Sequence, residues 1–263
     1  MRADKFLAER YGSRTKAAEA IEKGLVLVNG KSVRTKDEIK ETDELTFLKA
    51  EEFFVSNGGY KLSRGLSKFS YCCRDKIFVD IGASTGGFTD CLLQNGAKKV
   101  YAVDVGESLL HSSLILDNRI VKLENTNARY LTREQFDDVI DGVVTDVSFI
   151  SLNLIFPAIK SILKPEGDAF VLVKPQFECE NKNISKNGIV RLSAHPSIVE
   201  KVLDGAQSSG LYPFGITPAP IKKGKNVEYV LHLKPDYHGA KRKEEIVEEI
   251  KRLIKENTAK QAE

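Results

Sequence analysis

Residues 79–104 constrain the fold more than any other stretch of the chain. Val79-Asp80-Ile81 reads as a buried strand, Gly82-Ala83-Ser84-Thr85-Gly86-Gly87 as a tight turn, and 88–95, stopped by Gly96, as a helix. Val100-Tyr101-Ala102-Val103-Asp104 then reads as a second strand ending on a carboxylate. In a parallel sheet this unit sets backbone N–H groups at a helix start and an acid at a strand end. That geometry receives a nucleotide-like ligand, with Asp104 in reach of a ribose diol. The turn narrows the ligand further. A dinucleotide site wants G-x-G-x-x-G, whose second glycine admits a pyrophosphate, and here Ser84 holds that place. Asp80, just before the turn, disfavours a phosphate and suits the amino and sulfonium groups of S-adenosylmethionine. Asp80, Gly82, Ser84, Thr85, Gly86, Gly87, Phe88 and Asp104 are therefore the expected donor-binding set. The alternative is that the glycines only close a βα turn.

The rest of the chain extends this unit. Apolar runs at 77–80, 100–104, 120–123, 142–146 and 169–173 alternate with helical patterns, which predicts a doubly wound, mostly parallel α/β sheet. Runs at 211–216 and 227–233 follow each other with no helix between them and suit an antiparallel pair closing one edge. The charge-rich stretch 237–263 carries Ile246, Ile250, Leu253 and Ile254 at helical spacing, predicting a docking helix or a frayed extension.

The first 36 residues differ in character. They hold nine basic side chains against four acids, an excess of five, while the whole chain carries only +3. A helix is expected over 3–10 with Gly12 as its breaker. Ser13 caps a second helix running to Lys23, Gly24 ends it, and Asn29-Gly30 turns a hairpin. The expected organisation is a small α+β module over 1–48, a linker over 49–59, the α/β domain over 60–236 and the helical tail. Arg2, Lys5, Arg14, Lys16, Lys23 and Lys31 make a positive face that can follow phosphates without reading bases. The bland reading is a set of solvated lysines and arginines. A loop over 178–191, with Lys182, Lys186 and Arg191, is expected either to fold over RNA or to stand solvated.

Composition excludes other classes. No stretch approaches the ~20 apolar residues of a membrane helix, and Met1-Arg2-Ala3-Asp4-Lys5 lacks a signal peptide's apolar core, so a cytoplasmic protein is expected. Cys72, Cys73, Cys91 and Cys179 show no C-x-x-C spacing, and His111, His195, His232 and His238 show no ligand spacing. No metal site is expected.

Strand ends collect functional groups in such sheets. Asp146 ends one, Lys174 another, Glu228 lies in a late strand, and Lys61 follows Gly58-Gly59. Two lysines and two carboxylates meeting there would suit methylation of a hydroxyl, a weak nucleophile until its proton is removed. Burial and a second amine favour the neutral form of a lysine. Lys174 is the expected base, Asp146 and Glu228 its orienters, and Lys61 the group holding the hydroxyl or a neighbouring phosphate. Taken singly, each residue also reads as a helix cap or an ordinary ion pair.

Two resemblances follow from these residues. Arg2-x-Asp4, Ser13-Arg14, Ala17-x-x-Ala20-Ile21-x-x-Gly24 and Val26-x-Val28-Asn29-Gly30 resemble the S4 RNA-binding domain. With that start, the Lys61–Asp146–Lys174–Glu228 set resembles the hemolysin A (TlyA) family of ribosomal RNA 2′-O-ribose methyltransferases, whose catalytic domain is similar to the FtsJ-like enzymes. The resembling segments include Gly58-Gly59-Tyr60-Lys61-Leu62, Glu124-Asn125-Thr126-Asn127-Ala128-Arg129, Thr145-Asp146-Val147-Ser148-Phe149-Ile150-Ser151-Leu152 and Leu172-Val173-Lys174-Pro175-Gln176-Phe177-Glu178. The resemblance implies a Rossmann-like class I methyltransferase fold, S-adenosylmethionine as donor, Asn127 near its adenine, and cytidine in ribosomal RNA of a ribosomal subunit as acceptor. By comparison with relatives that carry a basic extension, it favours the large-subunit RNA. Glu107-Ser108 and Asn57 depart from the family's usual residues. The competing expectations are a non-catalytic RNA-binding assembly factor, a methyltransferase acting on a protein or small molecule, and a membrane-lytic activity suggested only by the hemolysin label.

Overall fold

The computed structural model describes residues 1–22, 25–47, 54–179, 183–221 and 224–260. The chain divides into two compact units, Met1–Phe53 and Phe54–Glu263.

The first unit carries α1 (Ala3–Phe6), α2 (Ala8–Tyr11), α3 (Arg14–Glu22), β1 (Val26–Val28), β2 (Lys31–Ser32) and β3 (Leu45–Phe47). The single helix expected over 3–10 is two short ones, broken at Leu7, which closes α1, opens α2 and is buried in the core. Gly12 stops α2 at φ 74°, and the Ser13 hydroxyl accepts the Lys16 N–H at 3.2 Å to start α3. Asn29 and Gly30 both take positive φ, 51° and 75°, as the two-residue hairpin turn requires. β3 pairs with the other edge of β1, giving the antiparallel order β2-β1-β3. The sequence reading stopped at the hairpin and missed this strand. Ala3, Leu7, Ala17, Ala20, Ile21, Val26 and Ile39 form the unit's core.

The second unit carries α4 (Asn57–Lys68), β4 (Ile77–Ile81), α5 (Gly87–Gln94), β5 (Lys99–Val103), β6 (Ile120–Leu123), β7 (Ile140–Thr145), α6 (Phe156–Ile162), β8 (Leu163–Val173), α7 (Pro175–Glu178), α8 (His195–Ser208), β9 (Tyr212–Pro218), β10 (Tyr229–Lys234) and α9 (Lys243–Lys260). Its sheet runs β6-β5-β4-β7-β8-β10-β9. Neighbours from β6 to β8 are parallel, and β10 is antiparallel to both β8 and β9. The expected edge pair is present, with the later strand inserted inside the earlier one. From β4 the chain winds outward through β5 and β6, then returns to β7 on the other side. The carboxyl ends of β4 and β7 are therefore the topological switch point, where such sheets bind ligands.

Two boundaries are corrected. Residues 54–59, expected in the linker, belong to the second unit, and α4 begins among them. The Ser56 hydroxyl caps α4 by accepting the Gly58 N–H at 3.3 Å. A Cβ on Gly59 would stand 2.2 Å from Phe54 Cγ, and one on Gly87 would stand 3.0 Å from the Gly59 nitrogen. Gly59, expected in the linker, and Gly87, expected in the donor turn, are here the place where α4 and α5 meet backbone to backbone. The tail resolves as a docked helix: Ile246 and Ile250 of α9 are fully buried and join the main core. Among the described residues no helix is long and apolar enough to cross a membrane.

Candidate active site

The glycine turn bends by alternating backbone hand. Gly82, Ser84 and Gly86 take φ of 80°, 48° and 88°. At Gly82 an added Cβ would meet the Asp146 carbonyl oxygen at 3.2 Å, so the turn lies directly against the end of β7. The Asp104 carboxylate accepts the Ser84 N–H on one oxygen and the Gly106 N–H on the other, both at 2.8 Å. Each oxygen keeps lone-pair capacity for a further donor such as a hydroxyl.

Two cavities open beside this turn. One, of about 430 Å³, is walled by Asp104, Asn127 and Thr126 with Val105, Leu109, Ala128 and Ile150. Its mix of apolar wall and fixed carboxylate fits a nucleoside: rings against the aliphatic side, sugar hydroxyls on Asp104. The other, of about 200 Å³, is more polar and takes in Ser56, Gly58, Lys61, Thr85, Gly87, Phe88 and Lys174. Gly82, Ser84, Asp146 and Ser148 border both. The pair forms one bent site with Asp146 at the elbow.

Most of the expected donor-binding residues lie on these walls, with three qualifications. Gly86 is behind the wall, where an added Cβ would strike Leu114 Cδ1 at 2.4 Å. Asn127 lines the larger cavity while its side-chain oxygen accepts the Arg129 N–H at 3.1 Å. Asp80 lines neither cavity. It is fully buried, one oxygen accepting the Thr89 hydroxyl at 2.6 Å and the other without a hydrogen-bond partner. Burial, with the Asp146 and Asp104 carboxylates nearby and Thr89 opposing, pushes its pKa up to about 7. An acid so placed acts on a ligand through its field, since its oxygens do not reach the cavity.

The four chemistry-bearing residues, scattered over 61–228, meet at the polar lobe. The Lys174 ammonium, on a side chain 9 % exposed, lies 2.5 Å from Asp146 Oδ1 and donates to the Ser148 hydroxyl at 2.8 Å. Lys61 Nζ is 2.7 Å from Glu228 Oε2 and 3.7 Å from Asp146 Oδ2. Asp146 therefore bridges two amines. One assignment changes: Glu228, expected to orient Lys174, holds Lys61 instead. Its other oxygen accepts from the Gln176 carboxamide at 3.0 Å. Each position has a local cause. Lys61 rides one turn into α4, Asp146 and Lys174 follow the last residues of β7 and β8, and Glu228 precedes β10. The start of β10 is fixed by the Tyr229 hydroxyl against His195 Nδ1 at 2.8 Å, on a ring that burial keeps neutral with a pKa of about 4.

The sequence reading quoted Ser148, Phe149 and Gln176 without assigning them work. Phe149 is 90 % exposed, takes φ 61° and lines the larger cavity, tilted against Phe177 at 4.9 Å. The signal available was its place three residues after Asp146. The 178–191 loop is partly pinned: Asn226 accepts the Val190 N–H at 2.8 Å and donates to the Gly188 carbonyl at 2.9 Å. Lys186 and Arg191 stand exposed on it, and Lys182 lies outside the described residues. Among the described residues no group of three or more His, Cys, Asp or Glu is placed to hold a metal ion.

In the first unit, Lys5 and Lys31 are exposed and Lys16 is half-buried, while Lys23 is outside the described residues. Arg2 and Arg14 do not stand free: both pair with the buried Asp4.

A seven-stranded sheet, parallel from β6 to β8 and closed by antiparallel β10 and β9, with a glycine turn where the strand order reverses, is the fold of solved S-adenosylmethionine-dependent methyltransferases. A solved enzyme of that class from Mesorhizobium loti covers 68 % of this chain and all of its own, with a TM-score of 0.52 at 13 % identity. This chain belongs to the FtsJ-like methyltransferase family, matched over residues 54–234, and carries an S4 domain over residues 1–45. It is 44 % identical to hemolysin A of Brachyspira hyodysenteriae, over 88 % of this chain and 99 % of that one. It is 39 % identical to the 16S/23S rRNA (cytidine-2′-O)-methyltransferase TlyA of Mycobacterium tuberculosis, over 84 % of each. The structure of a candidate hemolysin from Streptococcus thermophilus matches 98 % of both chains, with a TM-score of 0.69 and 37 % identity.

Proposed function

We propose that this protein methylates the 2′-oxygen of a cytidine ribose in ribosomal RNA, with S-adenosylmethionine as donor. The observation that carries the reading is the meeting of Lys61, Asp146, Lys174 and Glu228 beside the glycine turn at the switch point. The donor fits the residues present: the fixed Asp104 carboxylate and the apolar wall suit its adenosine, and the buried Asp80, just before the turn, would favour a cationic group through its field. When bound, it supplies an electrophilic methyl group on a positively charged sulfur.

The chain's own residues prepare the acceptor. With Lys174 neutral as the base, one ammonium and two carboxylates leave the cluster at −1, a charge that favours a cationic donor. Asp146 and Ser148 fix the Lys174 amine in direction, and in its neutral form it takes the proton of the ribose hydroxyl. With the donor bound, the deprotonated oxygen would be free to take the methyl group, and the donor would leave as a neutral thioether. Lys61, held by Glu228, steadies the same oxygen or an adjoining phosphate. Phe149 offers an exposed ring on which a base swung out of its stack can rest. The S4 domain and Lys186 and Arg191 supply positive charge for the RNA backbone.

The test is transfer from labelled donor to ribosomal subunits, with the modified nucleotide mapped by mass spectrometry. Lys174→Ala is expected to lower kcat at least ~100-fold while the donor Kd moves less than about threefold. Full-rate transfer by that variant, or label that enters a non-RNA acceptor and survives RNase, overturns the reading. An assembly factor with a decayed pocket would show no donor binding by calorimetry.

A further inference from the structure

Asp4 is an acid buried inside the basic module, and by charge counting it opposes RNA binding. Its geometry says otherwise. The carboxylate, 7 % exposed, accepts Arg2 Nε on one oxygen at 3.1 Å and Arg2 Nη2 on the other at 2.9 Å. The latter oxygen also accepts Arg14 Nε at 2.9 Å. Arg2 caps α1 and Arg14 opens α3, so one acid fixes guanidinium groups from two helices. The two arginine side chains remain 45 % and 55 % exposed. A guanidinium has five N–H donors in a planar fork. Asp4 engages two from Arg2 and one from Arg14, and among the described residues no other acceptor takes the outer N–H groups of either plane. The cluster keeps a net charge of +1.

We propose that Asp4 is a positioning residue that sets Arg2 and Arg14 into a fixed clamp for one phosphate of the RNA backbone. The inference rests on the RNA-enzyme reading given above. Planar forks recognise phosphate bidentately, and a fork held in place loses less freedom on binding than a solvated one. Asp4 is held ionised for this role: the Arg2 hydrogen bonds, with Arg14 adding to them, keep it below the usual carboxylate range despite burial. The other outcome of the same geometry is an ion-pair staple between α1 and α3 that withdraws the arginines from RNA.

The two differ in sign. Asp4→Asn keeps the side-chain shape and raises the local charge by one, so simple electrostatics predicts tighter RNA binding. The clamp predicts weaker binding by the full chain to a ribosomal RNA fragment, five- to tenfold, with the slope of log Kd against log salt falling by about one. Donor affinity should not move. Arg14→Lys guards against a folding defect, because it keeps the charge on a half-exposed side chain and removes only the fork. It should weaken binding to a similar degree, and the double variant should be little worse than either single one. Equal or tighter binding by Asp4→Asn, or unchanged binding by Arg14→Lys, overturns the clamp. A wild-type chain that binds no RNA would instead overturn the underlying reading.

Discussion

Replacing Asp80 by Asn tests whether the buried acid is kept for the donor at a cost to the fold. Its pKa of about 7 against an ordinary 3.8 means the folded protein binds this proton more tightly than the unfolded chain does. Stability from this group is fully present below about pH 3.8 and is lost as pH rises through 7. At ~1.4 kcal/mol per pKa unit, a carboxylate ionised at pH 8 costs the donor-free protein about 4 kcal/mol as an upper bound. Asn removes that cost, weakens the bond from the Thr89 hydroxyl, and sets an amide N–H₂ where one carboxylate oxygen has no partner, a penalty of ~1–3 kcal/mol. The net effect depends on pH: a gain of roughly 1–3 kcal/mol at pH 8 that shrinks by about 2 kcal/mol, to near zero, by pH 5.5, where the folded acid is mostly protonated but the unfolded one is already ionised. For a unit of this size each kcal/mol moves the melting temperature by about 2–4 °C. The assay is thermal melting of wild type and Asp80→Asn from pH 5 to 8.5, with and without S-adenosylmethionine. The donor-induced rise should be smaller in the variant at pH 8. A difference in melting temperature that stays constant across the range, or a variant that melts below wild type at pH 8, refutes the reasoning.

Two further perturbations separate scaffold from chemistry. Gly59→Ala forces a Cβ to within 2.2 Å of Phe54 Cγ, near the backbone end of that side chain where little can give. It should cost about 1–3 kcal/mol in chemical denaturation, and lower kcat as well, because Lys61 is carried two residues further along α4. Phe149→Ala should leave stability within ~0.5 kcal/mol, since the ring is 90 % exposed. It should weaken RNA recognition by ~1–3 kcal/mol, roughly 5- to 150-fold in kcat/KM, with a smaller change in donor Kd by titration calorimetry, since the ring also lines the larger cavity.

What the sequence disclosed about this site depended on the kind of constraint each residue obeys. Asp146, Lys174 and Glu228 were legible because charged side chains at strand ends need a reason to be there, Lys61 was noted for its place after Gly58-Gly59, and a family pattern joined the four. The parallel strands were legible because burial on both faces leaves nearly continuous apolar runs, so β4 was expected over 77–80 and is observed over Ile77–Ile81. Pairings were not legible. Nothing local in Glu228 says that it will hold Lys61 rather than Lys174, and nothing in Ser148 or Gln176 distinguishes a hydrogen bond to a catalytic group from one to water. Those choices are made by strand order, which brings β8 beside β10 and places Gln176, just past the end of one, against Glu228, just before the other.

The case of α4 goes further, because there local propensity and tertiary need point in opposite directions. Asn57-Gly58-Gly59 is among the least helix-prone triplets in the chain, and each glycine weakens a helix by up to about 1 kcal/mol relative to Ala. Yet α4 and α5 approach so closely here that a side chain at Gly87 would strike Ser56 and the backbone of Gly58 and Gly59, while one at Gly59 would strike Phe54. That close approach sets the start of α4 beside the glycine turn and carries Lys61 to within 2.7 Å of Glu228 and 3.7 Å of Asp146. A helix optimised for its own stability would therefore misplace the amine. The weak start of α4 is a requirement of the site, and the Ser56 cap is what offsets it.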